Sequence, residues 1–420
     1  MSILIRNVLH DGEVTNVYVE DNLISEIGPS VEADHTIDGS DHALLPGLVN
    51  THTHAAMTLF RGYADDMELQ SWLRDKIWPL EAKFKPEDIY WGTRLACLEM
   101  IKSGTTCFND MYFHIDMMAK AVDESGIRGV LSEGYVDFLN PEMGEELLSE
   151  TLDGIRKVRS MNCNRIIPAL GPHALYTVTK ESLEKLKGLS DEEDLLIHFH
   201  LSETKEEVDN CQKEHGKSPA RYLNDIGFLG PKLIAAHCVW LDEQEVKLLA
   251  DAGVKVSHNP VSNMKLAVGG AIPYRWMKQA GLSVSLGTDG AASNNNLDMF
   301  ESMKFASLLQ KFAFNDPTIM PAQEAFQMAT INGAEALGID AGVIEVGKLA
   351  DLILVDLRSP AFDPNHNLIS NVVYSASGSC VDTLICDGRI LMQNARVEDE
   401  DKIIEAAKRT ALDLVSRGDG

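Results

Sequence analysis

The chain has 420 residues, 64 of them acidic and 37 basic, for a formal net charge of −27. That length suits one large or two medium domains. A composition of 45% hydrophobic and 24% charged residues is that of an ordinary globular protein and argues against extended disorder. So acidic a surface repels nucleic-acid backbones and anionic membranes, and it disfavours highly anionic substrates. A soluble acidic surface or a salt-rich cytoplasm would each account for the excess.

The N-terminus, MSILIRNVLHDGEV, lacks the basic start and long apolar core of a signal peptide, and no apolar run is long enough to span a bilayer. Seven scattered cysteines without a CxxC pair predict free thiols in a reducing cytoplasm. Short strands are predicted at Ile3–Val8, Val14–Val19 and Leu23–Ile27, with turns at Asp11-Gly12 and Asp21-Asn22. Near the other end, Asp351–Asp356 and Val381–Ile385 read the same way, followed by a turn at Asp387-Gly388. Neither end can bury a core alone, so the two are expected to pair into one small β domain.

Between them, eight short apolar runs alternate with helical stretches such as Pro86–Lys102 and Asp242–Ala252. The runs are Gly47–His54, Thr105–Asp110, Gly129–Tyr135, Ile166–Pro172, Leu195–Leu201, Leu233–Val239, Val254–Asn259 and Val284–Asp289. The expected fold is α/β: a (β/α)₈ TIM barrel over residues 47–345, with a composite β-sandwich domain from residues 1–46 and 346–420. A helix is expected over the last twenty residues.

Nearly every run ends in a polar residue: His52 and His54, Asp110, Glu133, His173, His200 and Glu203, His237, His258 and Asn259, Asp289. In a parallel barrel these ends open on one face, where active sites lie. His52 and His54, at i and i+2 on a strand, point the same way. With His200 and Asp289 they make a nitrogen and oxygen set suited to one Zn²⁺ or Fe²⁺. Glu203, three residues past His200, is placed to move a proton, or alternatively to open the next helix at Ser202-Glu203-Thr204. His237 is placed to hydrogen-bond the attacked centre, or is a core imidazole. His198 reads as packing or as support for the ligands.

The motifs Pro-Gly-Leu-Val-Asn-Thr-His-Thr-His (46–54), His-Phe-His-Leu-Ser-Glu (198–203), Ala-His-Cys, Ser-His-Asn-Pro-Val-Ser-Asn and Gly-Thr-Asp-Gly resemble those of the amidohydrolase superfamily. The resemblance extends to Gly-Lys-Leu-Ala-Asp-Leu-Ile-Leu-Val-Asp at 347–356. Phe-Arg-Gly-Tyr-Ala-Asp-Asp and Ile-Trp-Pro-Leu-Glu, within 60–81, resemble the branch that deaminates S-adenosylhomocysteine, 5′-methylthioadenosine and 5′-deoxyadenosine.

The resemblance implies a single metal on His52, His54, His200 and Asp289. The fourth run contains no Lys that could bridge a second ion. It implies Glu81 on the ribose hydroxyls and His173 on the sugar or purine N3. It further implies Glu203 as the acid at N1, Asp289 and His237 acting on the water, a nucleoside substrate and a tetramer. Guanine, cytosine or triazine deaminases and dechlorinases of the superfamily are the alternative. The acid-rich segment Ser132–Ile155, expected as a loop near the pocket, has no Lys or Arg. It therefore predicts neutral 5′-groups over S-adenosylhomocysteine, with nucleotides worst.

Overall fold

The computed structural model describes residues 1–28 and 30–418. The N-terminal strands are β1 (Ser2–His10), β2 (Glu13–Glu20), β3 (Leu23–Ile27), β4 (His35–Asp38) and β5 (His42–Pro46). Asp11 and Gly12 both take positive φ, the turn that matches the twist of a two-residue hairpin, and they join β1 to β2.

Eight strands follow: β6 (Leu48–Thr53), β7 (Thr105–Tyr112), β8 (Arg128–Tyr135), β9 (Ile166–Pro172), β10 (Ile197–Leu201), β11 (Leu233–His237), β12 (Lys255–His258) and β13 (Ser283–Leu286). The chain ends with β14 (Leu352–Asp356), β15 (Val381–Cys386), β16 (Arg389–Gln393), β17 (Arg396–Val397) and a helix over Glu400–Gly418.

Both ends of the chain enter one mixed nine-stranded sheet, because β14 pairs antiparallel with β5. The strand Leu352–Asp356 alternates as its sequence requires. Leu352 and Leu354 join a core with Ile3, Ile5 and Val17, while Ile353 and Val355 face the larger core of the barrel. The turns of the two ends also touch. Gly388 (φ +67°) lies so close that a Cβ would sit 1.8 Å from the Asp21 carbonyl, which leaves no room for another residue. A buried ion pair closes the seam: Arg128, opening β8, donates to both oxygens of Asp351 at 3.0 and 3.1 Å and to Asp387 at 3.1 Å.

Strands β6 to β13 pair in parallel in chain order, as predicted from the eight runs. The ring meets itself between β13 and β6 through Asn50, which donates to Thr288 Oγ1 at 2.7 Å and accepts the Thr288 amide at 3.0 Å. The Asp289 amide then donates to the His52 carbonyl at 2.9 Å. Beneath His52 the interior holds hydroxyls: Thr51 Oγ1 lies 2.7 Å from Ser257 Oγ and 2.9 Å from Ser285 Oγ.

The expected helices are present. Pro86–Lys102 keeps its predicted bounds. The helix Glu243–Asp251 is capped by Asp242, whose carboxylate accepts the Glu245 amide at 2.9 Å.

One expectation is corrected. Most of the segment read as a loop is helix, Pro141–Ser160, started by Asn140 as N-cap with proline in its first turn. A second region that periodicity did not single out is the run of short helical turns Leu69–Trp72, Leu73–Ile77 and Trp78–Glu81. It walls one side of the barrel mouth. No helix among the described residues is long and apolar enough to cross a membrane.

Candidate active site

His52 and His54 leave the end of β6 on one face, as strand alternation dictates. Their neighbours are pinned by Asp110 of β7, whose Oδ1 accepts Thr53 Oγ1 at 2.6 Å and the Ala55 amide at 2.7 Å. His54 Nδ1 sits 2.8 Å from the Met111 carbonyl, and His200 Nδ1 sits 2.9 Å from the His173 carbonyl. A carbonyl only accepts, so each Nδ1 carries its hydrogen and each Nε2 is a bare lone pair. Those two Nε2 atoms face one another at 3.3 Å with no proton to share.

Asp289 Oδ1 lies 3.4 Å from His52 Nε2 and 3.4 Å from His54 Nε2, and His52 Nε2 is buried without a hydrogen-bond partner. Imidazole nitrogens and one carboxylate oxygen converging at these spacings suit a cation between them. They match the edges of a tetrahedron whose centre lies about 2.0–2.1 Å from each ligand. The donor set thus fits a metal ion. Burial holds His52 down to about 4 and His200 well below the usual imidazole range, so both are neutral and ready to bind.

Asp289 stands three residues beyond the end of β13, in a left-handed conformation (φ +65°). Burial alone would raise its pKa, but His52 and His54 outweigh that and hold it well below the carboxylate range. Its Oδ1 accepts the Gly290 amide at 2.7 Å and its Oδ2 accepts Ser262 Oγ at 2.6 Å.

Glu203 and His237 face each other, with Oε1 3.7 Å from Nδ1. Burial pushes the Glu203 carboxyl up, partly offset by His237. Burial also works against a charged His237, yet Glu203 and Asp289 override it and raise its pKa. Thr204, not Glu203, caps the following helix, accepting the Glu207 amide at 3.1 Å. The Glu207 carboxylate turns back to take the Ser202 and Glu203 amides, each at 2.8 Å, and so fixes the backbone that carries Glu203.

These groups line the deep end of a cavity of about 790 Å³ that also takes in Glu81, His173, Trp78, Phe138 and Lys157. Glu81 Oε1 accepts the Tyr112 hydroxyl at 2.7 Å, which leaves Oε2 free, and burial raises its pKa. His173 Nδ1 lies 2.9 Å from Thr177 Oγ1 and its pKa is driven by burial down to about 3. The site residues expected from the sequence, His52, His54, Glu81, His173, His200, Glu203, His237 and Asp289, are brought together here.

Other polar strand ends serve the scaffold. Glu133 accepts the His114 and Ile115 amides, each at 2.8 Å, at the start of the helix Ile115–Ser125. His258 is fully buried with neither ring nitrogen partnered. Ser262, Asn263, Glu207 and Tyr112 were not foreseen. The only sequence hint was the Ser-His-Asn-Pro-Val-Ser-Asn motif, in which Pro260 begins a short helix that presents Ser262 and Asn263 to the mouth.

An eight-stranded parallel barrel that gathers three imidazoles and a carboxylate at its mouth defines a class, the barrel hydrolases that draw on a metal ion. The chain belongs to the amidohydrolase family, whose model matches residues 43–391. It is 53% identical over 406 residues to a 5′-deoxyadenosine deaminase of Methanospirillum hungatei, covering 95% of this chain and 90% of the relative. It is 52% identical to a 5-methylthioadenosine/S-adenosylhomocysteine deaminase of Archaeoglobus fulgidus, covering 95% of each. A zinc-bound adenosine deaminase from Xanthomonas campestris superposes with a TM-score of 0.92 at 34% identity, covering 99% of this chain and 98% of that one.

Proposed function

We propose that this chain hydrolyses the 6-amino group of 5′-substituted adenosines, giving the inosine analogue and ammonia. 5′-Deoxyadenosine, 5′-methylthioadenosine and S-adenosylhomocysteine are the substrate class. The observation that carries the reading is the buried Glu203–His237 pair beside a set of bare imidazole lone pairs, with Glu81 farther along the same cavity. Identity near 50% to deaminases of these nucleosides supports it.

His52, His54, His200 and Asp289 would hold one divalent ion, Zn²⁺ or Fe²⁺, and the ion would lower the pKa of water to about 7 so that hydroxide is available. The chain's own residues do the rest. Attack at C6 breaks the aromatic ring, so N1 must gain a proton as the bond forms. Glu203, whose carboxyl is favoured neutral by burial, supplies it. Once Glu203 has given up that proton it is a carboxylate, and with Asp289 it favours a charged His237, which hydrogen-bonds the oxygen arriving at C6. Asp289 takes the proton of the attacking water and passes it to the departing amine. Glu81, through its free Oε2, accepts from the ribose hydroxyls, and His173 meets the sugar or purine N3.

Among the residues lining the cavity, Lys157 carries the one long basic side chain. It lies two residues beyond the segment that the sequence reading found free of cations. Its Nζ is already 3.2 Å from Asp153 and 3.4 Å from Asp116. That compensation supports a preference for neutral 5′-groups. Purified protein supplied with 5′-deoxyadenosine should release ammonia and form 5′-deoxyinosine, and His200→Ala should abolish the reaction. Ammonia from guanine but from no adenosine would overturn the reading.

A further inference from the structure

Two stretches of sequence have no part in the site described so far: Arg61-Gly62-Tyr63-Ala64-Asp65-Asp66, after His54, and Met264-Lys265, directly after Ser262-Asn263. The fold brings them together. Lys265 ends the short helix Pro260–Lys265. Its Nζ donates to Asp65 Oδ1 at 2.5 Å, to the Ala292 carbonyl at 3.3 Å and to Asn295 Oδ1. An ammonium has three hydrogens, and here each has an acceptor. Asn295, in a left-handed conformation (φ +73°), donates its own side-chain amide to Asp65 Oδ2 at 3.3 Å. Behind them Arg61 donates to Glu99 of the helix Pro86–Lys102 and to the Asn295 carbonyl, and Glu99 also accepts the Leu297 amide at 3.0 Å.

Three connections therefore meet at one ammonium. The one after β6 follows His54, the one after β12 carries Ser262 and Asn263, and the one after β13 carries Asp289. The ion pair is partly open to solvent, with 24% of the Lys265 side chain and 34% of the Asp65 side chain exposed. Pairs so exposed add little to global stability. The consequence is local, because Asn263 and Ser262, two and three residues before Lys265, hold His237 and Asp289.

We propose that Lys265 is a positioning residue for the reaction: it ties the helix Pro260–Lys265 to the connections after β6 and β13, and so sets the angles at which Asp289 and His237 meet the substrate. This inference rests on the reading of His237 and Asp289 as the groups that manage the attacking water. Lys265 touches neither of them and acts through Ser262 and Asn263. Asp65 and Asn295 are the fixed side of the tie, since Arg61 and Glu99 brace their backbone from behind.

The test compares Lys265→Met and Asp65→Ala with the wild type in metal-loaded protein. Each should lower kcat for 5′-deoxyadenosine by about 10–100-fold, with KM, bound metal and melting temperature nearly unchanged. The two variants change charge in opposite senses, so an effect of the electric field alone would drive their rates apart, whereas a tie predicts loss in both. Lys265→Met added to Asn263→Ala should cost much less than it does alone. Hydrogen exchange reads the tie without any substrate: the backbone amides of residues 263–268 should exchange faster in both variants. That measurement stands even if the wild type deaminates no adenosine, an outcome that would overturn the proposed function separately. Exchange at the wild-type rate in Lys265→Met, or an unchanged kcat in an active protein, would overturn the proposal. Opposite changes of kcat in the two variants would overturn it equally.

Discussion

Asn263 Oδ1 lies 2.8 Å from His237 Nδ1, and the residue before it, Ser262, donates to Asp289 at 2.6 Å. Two adjacent side chains of one short helix thus orient the two groups proposed to manage the attacking water. An amide oxygen only accepts, so it keeps a hydrogen on His237 Nδ1. Asn263→Ala should lower kcat by about 10–100-fold, the usual cost of losing an orienting partner, with a smaller change in KM. Steady-state kinetics on 5′-deoxyadenosine checks this, and an unchanged kcat would contradict it.

Glu203 is assigned the proton for N1, and it touches none of the atoms proposed to hold the metal. Glu203→Gln keeps the shape of the side chain and removes the acid. Activity should fall by about 10²–10⁴-fold, while the metal content of the purified protein stays at the wild-type level. A parallel loss of metal would place Glu203 among the ligands instead.

His258 offers a test of buried charge. Burial drives its pKa down to about 3, from the ordinary imidazole value of 6.5, so the folded protein keeps it neutral where the unfolded chain protonates it. Between pH 6.5 and about 3 the unfolded state binds the extra proton, so this residue costs stability as pH falls through that window. His258→Leu removes that penalty along with two unpartnered nitrogens. Thermal melts should show the variant gaining on the wild type as pH drops from 7.5 to 5. A gap independent of pH would contradict the prediction.

Arg128, Asp351 and Asp387 tie the barrel to the terminal sheet with all three charges largely out of water. Breaking such a group leaves buried carboxylates uncompensated. Arg128→Met should therefore destabilise the protein by about 3–5 kcal/mol. Denaturant unfolding measures this, and a loss under 1 kcal/mol would show that solvent reaches the seam.

The barrel was legible in the sequence because its strands are short apolar runs, and period-two alternation alone puts His52 and His54 on one face. Asp289, His200, Glu203 and His237 were legible because parallel strands open at one end. The same reasoning over-reached at Glu133, whose carboxylate is spent on the backbone of a neighbouring helix. It could not find Asn263 or Glu207, since a neutral amide and a helix glutamate acquire meaning only through the partner they meet in space. The Pro141–Ser160 helix was missed because its acidic composition outweighed its apolar stripe, although Asn140-Pro141 is a helix-start signature. Lys157, two residues beyond the acid-rich segment Ser132–Ile155, carries the cation that the segment lacks.

The most direct test is a series of kcat/KM values for 5′-deoxyadenosine, 5′-methylthioadenosine, S-adenosylhomocysteine and adenosine 5′-monophosphate, with bound metal quantified in the same preparation. One metal per chain is expected, with 5′-deoxyadenosine or 5′-methylthioadenosine best and the nucleotide worst. S-adenosylhomocysteine preferred by tenfold, or no deamination of any adenosine by the metal-loaded protein, would contradict the account.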